Sequence, residues 1–137
     1  MEKIASVFVV LILFSTISLA DTYAVIVNKN MKNINKVQIK AIFLKKLTRI
    51  NNIKVVPVNL NARDGLRRKF EKELLHMSFA RLKAYWIKQH YLGNRPPLSM
   101  KSQESVREFV KKVDGAIGYI DTKHVDESVK VIYEWSD

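Results

Sequence analysis

The residues best suited to chemistry lie together in the segment Lys54 to Phe70, KVVPVNLNARDGLRRKF. An apolar run there gives way to a short polar loop and then to a basic helix that opens at Asp64-Gly65. Such an opening aims backbone N–H groups and the positive end of a helix dipole into one loop, which is how many proteins hold an oxyanion. Arg63 and Arg67 flank the opening and could add bidentate contacts to the same anion. Ser102, at the start of a later helix, is a second candidate anion contact. Asp64 and Ser102 also have an ordinary use. Both are residue types that cap helices and satisfy the orphan N–H groups of a first turn.

Other chemistries find less support. The chain has no cysteine, which excludes disulfides, thiolate metal sites, cysteine nucleophiles and a lipoprotein anchor. His76, His90 and His124 lack the i, i+4 spacing that puts two imidazoles on one helical face, so no metal site is expected. His76 and Ser78 are close in sequence but have no orienting third group and no nucleophile elbow, so a hydrolytic triad is not supported. Glu71 and Glu73 fall on different helix faces and do not make a carboxylate pair. Tyr85, Trp86, Tyr91 and Arg95 could form a surface that stacks on bases or sugars. The helical spacing of Phe79, Leu82 and Trp86 instead assigns Trp86 to the core, while that of Leu66, Phe70 and Leu74 leaves Arg67, Arg68, Lys69 and Glu71 mostly facing water. Neither an enzyme nor a cofactor is expected, and nucleic-acid binding is disfavoured by the export signal described below.

The elements that must position these residues alternate between strand and helix. Tyr23 to Val27, Lys54 to Val58, Ala116 to Ile120 and Val129 to Tyr133 read as strands, apolar throughout rather than alternating in polarity. Pro57 predicts an edge position or a bulge for its strand. Asn35 with Gln38 has the spacing of a capping box, followed by Val37, Ala41 and Leu44 near the helical period. Leu66, Phe70 and Leu74 mark the apolar face of the next helix, and Ser78 caps another. Gly93-Asn94-Arg95-Pro96-Pro97 is a loop, and Ser102 starts a helix with Val106, Phe109, Val110 and Val113 on one face. The expected fold class is α/β: a three-layer sandwich with a central, mostly parallel sheet.

Residues 1–20 have the three parts of a secretory signal peptide. A single Lys3 precedes the apolar run Ile4 to Phe14, and Ser18-Leu19-Ala20 offers small residues before Asp21. The run falls short of the ~20 apolar residues a membrane span requires. The expectation is an exported protein, periplasmic or secreted, with residues 21–137 as one α/β domain and no stable membrane span after cleavage. Lys and Arg total 24 against 13 Asp and Glu, a formal charge of +11 that favours acidic partners. The accompanying richness in Asn and Ile offers a second origin for that excess, a compositional bias of the source genome.

Several phrases in order carry a resemblance. They are Tyr23-Ala24-Val25-Ile26-Val27-Asn28, Gln38 through Phe43-Leu44, Val55-Val56-Pro57-Val58-Asn59, Met77-Ser78 through Ala84-Tyr85-Trp86, Arg95-Pro96-Pro97, and Gly115-Ala116-Ile117-Gly118-Tyr119-Ile120. Together they resemble phosphate-binding-protein-like domains of the type 2 periplasmic substrate-binding superfamily, the receptors of phosphate ABC importers. The resemblance implies one lobe of such a receptor, whose full form has two lobes closing on the anion. It implies a small, phosphate-like oxyanion as ligand and an ABC permease or envelope protein as partner. Arg63, Asp64, Gly65, Arg67 and Ser102 are the ligand-binding candidates. That family's phosphate loop reads roughly Arg-x-Asp-Gly-Ser-Gly-Thr. Here Leu60, Ala62, Asp64 and Leu66 stand at its Arg, Asp, Ser and Thr positions, and only Gly65 is retained. A missing hydrogen bond to a charged ligand costs about 1.5–3 kcal/mol. An alternative therefore stands beside the receptor reading: an exported interaction module that kept the fold, lost the ligand and docks on a protein or an anionic envelope component.

Overall fold

The computed structural model describes residues 21–137; the expected signal peptide, residues 1–20, lies outside the described residues. Strand β1 (Thr22–Val27) leads into helix α1 (Lys36–Phe43), followed by a two-residue hairpin, β2 (Arg49–Ile50) and β3 (Ile53–Lys54). Strand β4 (Val56–Leu60), helix α2 (Gly65–Phe70) and a wider π turn (Glu71–Leu75) come next. Helix α3 (Phe79–Tyr91), strand β5 (Leu98–Met100), helix α4 (Gln103–Lys112), strand β6 (Ala116–Asp121) and strand β7 (Lys130–Ser136) complete the order.

The main sheet runs β5-β4-β6-β1-β7. β4 is parallel to both β5 and β6, whereas β1 is antiparallel to β6 and β7. Four strands thus point one way and β1 alone opposes them. Side chains alternate across β6, which separates two helical layers. Gly118 faces α4, and a Cβ there would sit 2.5 Å from Val106 Cγ1, so the missing side chain lets helix and sheet close up. Tyr119 faces the other way, stacked on Phe70 of α2 with ring centroids 4.0 Å apart and planes at 8°. Phe43 of α1 meets Phe70 edge-on at 4.6 Å. The result is the expected three-layer α/β architecture, with its core on both faces of β1 and β6.

Particular expectations need revision. Helix α1 buries Ile39, Ile42 and Phe43, and Leu44 is buried just past its end as expected, while Val37 is exposed; packing against Phe70 draws in the Ile39–Phe43 side. Lys54 belongs to the β2–β3 hairpin, closed by Asn51 and Asn52 at positive φ, and the long strand starts at Val56. β4 is an interior strand, yet Pro57 pairs there only with Ile117 of β6, because β5 pairing begins at Val58. Its missing N–H therefore breaks no ladder bond. Trp86 is half-buried and sits edge-on against Tyr85 outside the core cluster, and Phe79 is exposed beneath Arg68. Only Leu82 of α3 is buried.

Candidate functional site

The site candidates gather through topology. β4 and β5 are adjacent and parallel, with Leu60 in register with Met100 at their ends. Both strands therefore deliver their chains to the same edge of the sheet, at the same level. One continues through Asn61–Asp64 into α2 and the other through Lys101–Ser102 into α4. Ligands of open α/β sheets commonly bind beyond the carboxyl ends of such strands. Gln103 Oε1 accepts the Asp121 N–H at 2.7 Å, which ties the first turn of α4 to the end of β6 at this edge.

Both caps form as their residue types predict. Asp64 Oδ1 accepts the Leu66 N–H at 2.9 Å, and Ser102 Oγ accepts the Ser105 N–H at 3.1 Å. Each cap satisfies one amide of its first turn and leaves the others directed outward. Gly65 is exposed with open space beside its Cα, so none of the described residues covers the amides there. Arg63 is also exposed, and it makes no ion pair among the described residues.

Arg67 is placed differently from the expectation of a water-facing side chain. Its Nη1 donates to the Leu60 carbonyl at 3.0 Å, and its Nε lies 3.7 Å from Glu71 Oε1. Glu71 is buried, where water had been expected; burial raises its carboxyl pKa above the usual range, while Arg67 and Arg68 pull it the other way. Arg67 thus braces the loop from beneath. Glu73 lies apart, accepting from the Tyr133 hydroxyl at 2.9 Å, so the two glutamates form no pair.

A second brace lies outside the candidate residues named from the sequence. The Tyr119 hydroxyl accepts the Leu60 N–H at 3.1 Å and donates to Asn59 Oδ1 at 3.0 Å. Burial pushes its phenol pKa well up. The signal was available, since a tyrosine inside a fully apolar strand must find a partner for its hydroxyl. With Arg67 on its carbonyl and Tyr119 on its amide, Leu60 is held on both sides just before the loop. Lys69 is likewise engaged, 2.6 Å from both the Tyr23 hydroxyl and Asp137 Oδ2.

The arrangement offers backbone N–H donors and one free guanidinium around an open edge, which suits a small anion. Among the described residues no group of three or more His, Asp or Glu side chains is placed to hold a metal ion. No helix among them is long and apolar enough to cross a membrane.

No protein-family model matches the chain, and no curated protein sequence matches it. Solved structures do. An ABC-type phosphate transport receptor from Vibrio cholerae superposes with a TM-score of 0.65 at 23% identity, covering 82% of this chain and 45% of the receptor. A protein from Clostridium perfringens, described as a phosphate ABC transporter substrate-binding protein with bound phosphate, gives 0.64 at 26% identity, covering 82% of this chain and 44% of the other. The chain spans less than half the length of either. Over that span it has the fold of phosphate ABC transporter substrate-binding proteins, as one lobe of such a receptor.

Proposed function

We propose that residues 21–137 form an exported solute-binding domain that takes phosphate or another small oxyanion at the edge where β4 and β5 end, with residues 1–20 as its signal peptide. The observation that carries this reading is the likeness to a receptor that holds phosphate, at 26% identity over 82% of the chain. Arg63 and the amides following Asp64 and Ser102 supply the ligand contacts. Arg67 acts from below, fixing the Leu60 carbonyl and adding positive charge near the loop. Delivery to an ABC permease would follow from the same resemblance.

Isothermal titration of the purified protein with inorganic phosphate tests the proposal. Saturable heat is expected, weakened by Arg63→Met, which removes an exposed charge without touching the fold. A folded sample giving no heat at millimolar phosphate overturns it.

A further inference from the structure

Helix α3 has two faces, and the fold uses one. Leu82 is buried, with Tyr85, Trp86 and Gln89 half-buried beside it, and the Tyr85 hydroxyl donates to the Leu44 carbonyl at 2.6 Å. The opposite face is apolar as well. Ala80, Ala84, Ile87 and Tyr91 are all exposed, Ile87 by 53% and Tyr91 by 85%. Their spacing is four, three, four, the alternation that keeps a seam on one side of a helix and seats a second helix along it. Alanines at the first two positions allow close approach of the helix axes.

Charge identifies the occupant. The positions flanking this seam are Arg81, Lys83, Lys88 and His90, with no acidic residue among them. From Leu74 to Gln103 the chain contains no Asp or Glu at all. A second copy of α3 would set like charges against like along both flanks, so self-pairing is opposed. A membrane surface would share the charge preference, but half of this narrow stripe is alanine, which gives little area to insert. We infer that the outer face of α3 seats an amphipathic helix of a protein partner, with apolar residues at heptad spacing and Asp or Glu on its flanks. Because α3 is already held by its inner face, the partner alone would be ordered on docking, which favours binding over a seam this short.

The test uses the full chain and two fluorescent synthetic peptides of about three heptads. Both carry leucine in the core positions; one has Glu on its flanks and the other Lys. Anisotropy should show the Glu-flanked peptide binding at least about tenfold more tightly. Ile87→Ser, which leaves every charge in place, should weaken that peptide by about tenfold. Joint Lys83→Glu and Lys88→Glu changes should reverse the peptide preference. All three positions are exposed, and circular dichroism verifies folding. Equal affinity for the two peptides, or binding unchanged by Ile87→Ser, overturns the inference. Binding to phosphatidylglycerol vesicles without binding to the Glu-flanked peptide also overturns it, in favour of a lipid surface.

Discussion

Tyr119→Phe removes one oxygen from the centre of the molecule and should cost far more than its size implies. The Leu60 N–H loses its acceptor and Asn59 Oδ1 loses its donor. Leu60 is fully buried and Asn59 is 8% exposed, so water reaches neither easily. A buried polar group left unpaired costs about 1–3 kcal/mol. The amide should fall high in that range; the Asn59 oxygen can turn toward its small exposed area and should fall low. Together they give about 2–4 kcal/mol. Phenylalanine keeps the ring stacked on Phe70, so cavity formation adds little. With a urea m-value of about 1.5 kcal/mol/M, the midpoint should drop by roughly 1.3–2.7 M without a change of slope. Urea titration followed by circular dichroism measures this. Tyr133→Phe is the internal control, because its hydroxyl donates to the partly exposed Glu73 and should cost about 0.5 kcal/mol or less. A Tyr119→Phe shift no larger than the control would refute the reasoning, showing that the hydroxyl does not hold the end of β4.

Two further perturbations address the loop itself. Burial keeps the Glu71 proton on to higher pH in the folded state than in the unfolded chain, whose glutamates titrate near 4.5. Between those two points the unfolded state binds fewer protons, so stability falls as pH rises from about 4.5 through the folded pKa. Glu71→Gln should abolish that component, and urea midpoints that run parallel for both proteins across the window would exclude it. At Asp64, two substitutions separate capping from repulsion. Asp64→Ser keeps a cap and removes a carboxylate from the loop, so phosphate affinity should rise with little loss of stability; Asp64→Ala should raise affinity too, but lower stability by about 1 kcal/mol. Calorimetric affinities unchanged in both would show that Asp64 faces no anion.

What the residues disclose depends on how local the determining physics is. β1 and β6 are legible because every position faces an apolar layer, so an unbroken apolar run is sufficient signal. The caps at Asn35, Asp64, Ser78 and Ser102 are legible because capping is a contact within one turn. Drawing in the Ile39–Phe43 side of α1 requires Phe70, which lies 27 positions beyond Phe43 and meets it only in the fold. β5 has three residues and no pattern of its own; pairing with β4 creates it. The site divides the same way. Asp64 and Ser102 identify themselves, whereas their common sheet edge depends on β4 and β5 being parallel neighbours. The inward turn of Arg67 depends on a carbonyl seven residues earlier, reachable only once the chain has bent from β4 into α2.

That inward turn changes the meaning of the net charge of +11. The cations of α2 face different structural tasks despite being consecutive. Arg67 joins α2 to β4 through Leu60, Arg68 lies 4.0 Å from the centre of the Phe79 ring at the start of α3, and Lys69 reaches Tyr23 of β1 and Asp137. Each secures α2 to a different neighbour, so the run that reads as a solvated basic face contributes less free charge than its composition suggests. Two places apart from that run also carry exposed positive charge: Arg63 on the loop edge and the acid-free outer face of α3. Attraction of a small anion at the first place rests on backbone amides and one guanidinium, while attraction at the second rests on side chains flanking an apolar seam. The basic composition thus supports two surfaces of different chemistry, and neither is the Arg67–Lys69 stretch where the charges are densest in sequence.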